Sequence, residues 1–310
     1  MDAAASGDVC LVATCPTVRP VRDRDICIST RKVQRNTNKG SAEHRQPRET
    51  EVTLIAVGDR AAGVLSQIAR LRRVGNYCLA PRPAQRIGDH YLDTPTGALA
   101  AKRLALRIRD IAHQQWLTLK GPAHVTAYHA IERLEIETPW SAAALQALVD
   151  ELASFGVRLR GARSTLCGDG ALEVAASLGL APIHQHITHR RVRDISLHQK
   201  DAHAVVAELA LDTVLYRSDG AHYRHYEVEI EAKGEHSAQA LQAIAQALMA
   251  RYPAELRIWY HSKLATALAL RALHATGDYV ALHDRDAGMH VRAYEQVDRF
   301  LRGSARAGSG

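Results

Sequence analysis

Short segments in which charged and apolar residues alternate one by one are the feature that most constrains this chain of 310 residues. In a β-strand, residues two apart point to the same side, so each segment has one charged and one apolar face. Glu49 and Glu51 share a face, while Val52 and Leu54 lie on the other. The same alternation recurs around these charged residues: Arg107 and Arg109; Arg133, Glu135 and Glu137; Arg191 and Arg193; Glu208 and Asp212; Glu227, Glu229 and Glu231. The pattern predicts a strand-rich domain.

Helical segments lie between these strands, and each carries apolar residues at helical spacing. They span residues 60–74, 141–156, 171–179, 237–253 and 262–275, and a further amphipathic segment spans 291–302. Ser141 and Ser237 are predicted to cap the helices that they precede. A doubly wound nucleotide-binding fold would need strict alternation of strands and helices and a glycine-rich loop, and the sequence has neither.

Composition predicts the domain boundaries. Residues 1–47 are polar and arginine-rich and have no apolar period, which predicts a disordered basic arm. Residues 48–275 hold the strands and helices of one folded domain. Residues 276–310 are predicted to form a C-terminal helix followed by a flexible tail rich in glycine and serine.

Composition also narrows the partners and the compartment. The net charge of +7 suits an anionic ligand, but aromatic residues make up only 5% of the chain, so nucleic acid is a minor alternative. The five cysteines are widely spaced and form no CxxC pair. No apolar run is long enough for a transmembrane helix. We therefore expect a soluble cytoplasmic protein with no membrane partner.

The charged strand faces have two interpretations. For any single strand, the better explanation is a half-buried sheet whose polar face meets solvent. Taken together, carboxylate-rich strands near both ends of the domain and arginine or lysine strands between them favour a sheet that closes with its charged faces inward. The apolar faces would then pack against helices. Carboxylates suit Mg²⁺ or Mn²⁺, and arginine and lysine suit phosphate oxygens, so the interior would bind an anion.

Nine short motifs occur in a recognisable order. They are Glu49-Thr50-Glu51-Val52-Thr53, Tyr91-Leu92-Asp93-Thr94, Leu106-Arg107-Ile108-Arg109, Leu117 to Pro122, Arg133 to Glu137, His189 to Arg193, Leu211-Asp212, Glu227 to Glu231, and Ser262-Lys263. This ordered set resembles the CYTH superfamily of triphosphate tunnel metalloenzymes, from Glu49 to Lys263. The superfamily includes inorganic triphosphatases, thiamine triphosphatases and class IV adenylate cyclases.

The resemblance implies an α+β fold, in which eight antiparallel strands form a closed tunnel with helices packed outside. It implies metal-dependent hydrolysis of inorganic triphosphate or of another triphosphate or polyphosphate, with Mg²⁺ or Mn²⁺ as cofactor. The metal ligands that it implies are Glu49, Glu51, Glu227 and Glu229. The phosphate-binding residues are Arg107, Arg109, Lys120, Arg191, Arg193 and Lys263. The catalytic residues are Glu49, Glu51, Glu135, Asp212 and Lys263.

Two alternatives to the hydrolysis of a triphosphate stay open. Thr53 stands where the family's first motif has lysine, and threonine has neither the charge nor the reach of lysine. The protein could therefore bind polyphosphate or nucleotide without hydrolysing it. A class IV adenylate cyclase is a further alternative, and a homodimer is neither indicated nor excluded.

His184 and His186 share a strand face, but no cysteine or further ligand joins them, which favours ordinary polar lining over a zinc site.

Overall fold

The computed structural model describes residues 47–160, 170–197, 204–218, 221–234, 238–277 and 288–307. The strands are β1 (Arg48–Ala56), β2 (Arg73–Val74), β3 (Tyr77–Pro81), β4 (Gln85–Asp93), β5 (Ala105–Ile111), β6 (Gln114–Lys120), β7 (His124–Val125), β8 (Ile131–Pro139), β9 (Ala181–Leu197), β10 (Val205–Ser218), β11 (Ala221–Ala232) and β12 (Leu256–Ile258). The helices are α1 (Ala61–Ile68), α2 (Ala98–Ala101), α3 (Ala142–Ser154), α4 (Ala171–Ser177), α5 (Ala238–Arg251), α6 (Lys263–Ala275) and α7 (Val291–Ala307).

Eight of the strands form a closed antiparallel barrel. Their order around the barrel is β10, β11, β1, β8, β6, β5, β4 and β9, and β9 pairs again with β10. Strands β2, β3, β7 and β12 add short pairings at the edges of this ring. The structure therefore confirms the predicted α+β fold with an eight-stranded closed tunnel.

The apolar strand faces point out of the barrel into two helix-covered clusters. One cluster packs α1 and α5 against β1, β10 and β11, where Leu54, Leu209 and Val228 are fully buried. The second packs α2, α3 and α4 against β5 and β6, where Ile108 and Leu119 are fully buried. Since successive side chains alternate between the two faces, the charged residues of the same strands point into the barrel.

A third apolar cluster fills one end of the barrel. Ile55 and Val214 lie on the same strand faces as Glu51 and Asp212, yet they pack against α6 and α7. The helix residues in this cluster are Ala267, Ala269, Leu270, Leu273, Ala293, Tyr294 and Val297. Helices α6 and α7 thus cover one end of the barrel, whereas α1 to α5 pack on its outer wall.

The helix predictions hold with changed bounds: α1, α3, α4, α5 and α6 are shorter than predicted, whereas α7 continues past the predicted 302 to Ala307, into the segment predicted as a flexible tail. Ser141 caps α3, because its hydroxyl accepts a hydrogen bond from the Ala144 N–H at 3.0 Å. The segment predicted as one helix over 60–74 instead ends at Ile68 and continues into β2. The predicted Ser237 cap, residues 1–46 and the last three residues of the tail lie outside the described residues. No helix in the described part of the chain has the length and apolar character needed to cross a membrane.

Candidate functional site

The closed barrel brings charged side chains from all eight of its strands into one interior. Strand register decides which residues are neighbours there: Glu49 lies opposite Arg133, Lys120 opposite Glu135, and Asp212 opposite Glu227. These side chains are buried or nearly so. Because buried charges are costly unless they are paired, the interior must hold both signs in contact or bind a charged ligand.

Asp212, Glu227 and Glu229, on β10 and β11, form what we call the acidic cluster. One carboxylate oxygen from each lies within 4.8 Å of the other two. In the part of the chain that the structure describes, no other three His, Cys, Asp or Glu side chains converge in this way. The Lys263 ammonium, at the start of α6, forms ion pairs with all three carboxylates, and its Nζ lies 3.0 Å from Asp212 Oδ2.

Arg190 of β9 completes the acidic cluster. Its guanidinium donates two hydrogen bonds to Asp212, at 2.8 and 2.6 Å, and one to Glu229. Burial alone would raise the pKa of Glu229, but Lys263 and Arg190 hold that pKa well below its usual range. Glu229 is therefore ionised at neutral pH. Three convergent carboxylate oxygens are a donor set that suits a hard divalent cation such as Mg²⁺ or Mn²⁺, so these residues fit such an ion.

A second set, which we call the glutamate network, lies on β1, β8 and β6. Glu49 accepts hydrogen bonds from Lys120 Nζ at 2.8 Å and from Arg133, and Glu51 accepts one from Arg133 at 2.8 Å. Lys120 also lies 3.2 Å from Glu135. The network therefore comprises three glutamates, one lysine and one arginine.

The glutamate network differs from the acidic cluster in protonation. Burial raises the pKa of Glu51 to about 7, because the opposing effect of Arg133 is smaller and Glu49 and Glu229 lie nearby. Burial and the neighbouring Glu49 raise the pKa of Glu135 to about 8, against the effect of Lys120. Lys120 and Arg133 overcome burial at Glu49 and lower its pKa. At neutral pH, Glu49 is ionised while Glu135 carries a proton.

Two arginines of β5 lie beside these sets. Arg109 donates two hydrogen bonds to Asp89 of β4, at 2.7 and 3.0 Å. Arg107 is held more loosely: it lies 3.7 Å from Asp89, Glu135 and Glu137, and its buried Nε makes no hydrogen bond within the described residues. A buried guanidinium with an unused donor is suited to an anionic ligand.

The predicted orientation of Arg191 and Arg193 on β9 is wrong. Arg191 lies opposite Leu211 and Arg193 opposite Leu209, two leucines that point out of the barrel into the α1–α5 cluster. Arg191 is exposed to solvent. The interior residue is Arg190, because it pairs with Asp212. A shift of one residue along a strand moves every side chain to the other face, so the two arginines that were predicted to bind phosphate lie outside the barrel.

Comparison with known proteins decides the family. A CYTH domain model matches residues 83–256, more than half of the chain. The chain belongs to the CYTH family. The predicted relationship to the triphosphate tunnel metalloenzymes is thereby confirmed. No curated protein matches the sequence.

Solved structures similar to this CYTH chain share little sequence with it. A candidate adenylyl cyclase from Hippeastrum that shows a dominant triphosphatase activity is 17% identical, with a TM-score of 0.47 over 75% of this chain and 98% of that one. A candidate adenylate cyclase from Bacillus halodurans is 20% identical, with a TM-score of 0.40 over 70% and 96%. An RNA triphosphatase of S. pombe is 10% identical, with a TM-score of 0.30 over 66% and 83%.

The departure from the first CYTH motif, Thr53, lies inside the barrel. It is 3% exposed and sits opposite Glu229 on the neighbouring strand. A lysine at this position would project towards the acidic cluster, where Lys263 already stands. Thr53 therefore leaves the acidic cluster with one cation fewer than the motif would provide.

Sequence reasoning assigned no site role to four interior residues of this CYTH domain. They are Asp89, Arg133, His186 and Arg190. Asp89 could have been found by alternation, because it is two residues before Tyr91 in a predicted strand. His186 lines the interior with a fully buried side chain, and its Nε2 lies 3.4 Å from Asp89 Oδ2. Burial lowers the pKa of His186, against the opposing effect of Asp89.

Proposed function

We propose that this protein hydrolyses a triphosphate or polyphosphate inside the barrel, with Mg²⁺ or Mn²⁺. The observation that carries this proposal is that the acidic cluster and a set of buried cations face the same closed interior. Transfer of a phosphoryl group needs little covalent chemistry from a protein: it needs the phosphates held in place and their charge neutralised. An interior with both signs of charge can supply both.

Asp212, Glu227 and Glu229 would hold the divalent cation. When bound, such an ion neutralises charge on phosphate oxygens and lowers the pKa of a bound water molecule. We assign Glu227 and Glu229 as metal ligands and add Asp212 to them, because its carboxylate converges with theirs. Glu49 and Glu51 stay proposed as further ligands or as groups that orient water. In the structure, their carboxylates contact Arg133.

The cations of the interior would bind phosphate oxygens. Arg107 is the best placed, since its Nε has no hydrogen-bond partner among the described residues. We propose Arg109, Lys120 and Lys263 for the same role, and we replace Arg191 and Arg193 with Arg190. Glu135 carries a proton at neutral pH and lies beside Lys120, so it can donate that proton to a phosphate oxygen or to a leaving group.

The test is release of phosphate by the purified protein. The substrates are inorganic triphosphate, ATP, thiamine triphosphate and long polyphosphate, each with Mg²⁺, with Mn²⁺ and with a chelator. We expect metal-dependent release from at least one of them, reduced about 100-fold or more in Glu227→Gln because a ligand and its charge are lost. Glu132→Gln is the matched control, since Glu132 pairs with Arg48 on the outside of the barrel and should leave the rate unchanged.

Thr53 favours one second candidate, a protein that binds polyphosphate or nucleotide without hydrolysing it. Because threonine stands in place of the lysine of the motif, the interior beside Glu229 has one cation fewer. Thr53→Lys distinguishes the two candidates: an inactive native protein whose lysine variant releases phosphate is a binder. Cyclic AMP formed from ATP would identify a class IV adenylate cyclase instead. If the native protein neither binds nor cleaves any of the four substrates, the proposed function is wrong.

A further inference from the structure

A chain of polar contacts runs from the C-terminal helix α7 to the acidic cluster. The Tyr294 hydroxyl lies 2.9 Å from Nδ1 of His225, and the two rings pack at 5.7 Å between centroids. Nε2 of the same histidine faces Glu227 Oε2 at 3.6 Å. All three side chains are buried, with exposed fractions of 3%, 0% and 2% in the order Tyr294, His225 and Glu227.

The position of Glu227 selects one tautomer of His225. A neutral imidazole has one N–H donor and one acceptor nitrogen. If Nε2 were the acceptor, its lone pair would face a carboxylate oxygen, which is repulsive in a buried site. With the proton on Nε2, the N–H points at Glu227 Oε2, and Nδ1 accepts a hydrogen bond from the Tyr294 hydroxyl. The contact at 3.6 Å is longer than a hydrogen bond, and a shift of a few tenths of an ångström would close it.

The burial of the two facing atoms supports this arrangement. His225 Nε2 is buried and makes no hydrogen bond within the described residues, and the atom that it faces, Glu227 Oε2, is the oxygen that forms the ion pair with Lys263. A buried polar atom that makes no hydrogen bond is costly, so the Nε2–H and the carboxylate gain by approaching each other. A carboxylate that holds a metal is in turn held by a hydrogen bond in most metal sites.

We infer that Tyr294 and His225 are positioning residues for the divalent cation, because they orient the Glu227 carboxylate within the acidic cluster. Neither residue touches the cation or the substrate. The inference rests on the proposed function, since it concerns the same cation. Tyr294 lies on α7, beyond the segment 83–256 that the CYTH model matches.

The test measures binding of Mn²⁺ to the full chain by titration calorimetry. We expect the dissociation constant to rise about 10-fold or more in His225→Phe, as for other residues that support a metal ligand. In Tyr294→Phe, which removes only the hydroxyl, we expect a rise of about threefold or more. His225→Gln keeps an N–H donor near the position of Nε2, so it should bind Mn²⁺ within about threefold of the native protein.

Tyr223→Phe is the matched control. Its hydroxyl lies 3.1 Å from His274 Nδ1, and Tyr223 packs in the same apolar cluster as Tyr294. Thermal unfolding of every variant checks folding, and the two Tyr→Phe variants each remove only one hydroxyl group. Equal Mn²⁺ affinity in the native protein, Tyr294→Phe and His225→Phe would overturn the inference alone. A native protein that does not bind Mn²⁺ would overturn the proposed metal dependence as well.

Discussion

The acidic cluster and the glutamate network are both made of buried carboxylates and cations, yet they differ in how the charges are balanced. In the acidic cluster, Lys263 lies among three carboxylates, and the pKa of Glu229 is held low. In the glutamate network, the pKa values of Glu51 and Glu135 rise to about 7 and about 8. The acidic cluster, one wall of the barrel, therefore keeps negative charge. The glutamate network, which we call the proton-storing wall, holds two carboxyl groups that bind protons near neutral pH.

This difference in protonation indicates two functions, cation binding and proton transfer, that the residue types alone do not distinguish. A site that keeps converging negative charge suits a divalent cation. A site whose carboxyl groups gain and lose protons near pH 7 suits proton transfer. The motif resemblance implies a metal role for both Glu49 and Glu51, yet their protonation differs: Lys120 and Arg133 lower the pKa of Glu49, whereas burial raises the pKa of Glu51 to about 7.

Removing one lysine from each wall tests the comparison most strongly. In metal-free protein, Lys263→Met leaves three buried carboxylates with Arg190 alone, so we expect a loss of about 3–5 kcal/mol in the free energy of unfolding. Lys120→Met should lose less, about 1–3 kcal/mol, because Glu135 already carries a proton and Glu49 keeps Arg133. Urea unfolding with a chelator measures both losses.

The same pair of variants has a second readout. Mn²⁺ should restore much of the stability of Lys263→Met, since the cation can take the place of the ammonium among the three carboxylates. It should do little for Lys120→Met. Equal rescue of the two variants by Mn²⁺ would mean that the two walls do not differ in the way described here.

The alternation of residues predicted the barrel well and predicted the interior of β9 badly. Strands β1, β5, β6, β8, β10 and β11 have apolar outer faces covered by helices, so their charged faces could only point inward. Strand β9 has polar residues on both faces: His186 and Arg190 point inward, and His189 and Arg191 are exposed. When both faces of a strand are polar, alternation does not show which face points inward. Only the register with β10 therefore identifies Arg190 as an interior residue.

The sequence also did not predict that two helices cover one end of the barrel. Helices α6 and α7 were recognisable from their apolar spacing, and the same spacing would suit a helix on the outer wall. What distinguishes them is the third apolar cluster, in which Ile55 and Val214 interrupt otherwise polar inner faces. The contact of Tyr294 with His225 joins residues 69 positions apart, so no local sequence pattern predicts it.

Adjacent arginines of β9 provide the second test. Arg190→Met removes the partner of Asp212 and Glu229, so we expect a loss of about 3 kcal/mol in the free energy of unfolding. Arg191→Met is the matched control, because Arg191 is exposed and should change that free energy by less than about 0.5 kcal/mol. Urea unfolding of both variants gives the two values. Similar losses from the two substitutions would contradict the strand register of β9 and β10.

The third test concerns the proton-storing wall. The pKa of Glu135 rises from 4.5 to about 8 on folding, so the stability that it contributes is fully present below pH 4.5 and is lost as pH rises towards 8. Glu51, with a pKa of about 7, acts in the same direction. In a chelator, the melting temperature of the native protein should therefore fall between pH 5 and pH 8, by about 2–4 °C for each kcal/mol lost.

Glu135→Gln should reduce this fall, because the amide resembles the protonated carboxyl group at every pH. The variant should match the native protein near pH 5 and exceed its melting temperature at pH 8. Glu132→Gln, on the outer face of the same strand, should keep the native pH dependence. If Glu135→Gln instead melts below the native protein at both pH 5 and pH 8, Glu135 is ionised and paired with Lys120, and both walls of the barrel carry ionised carboxylates.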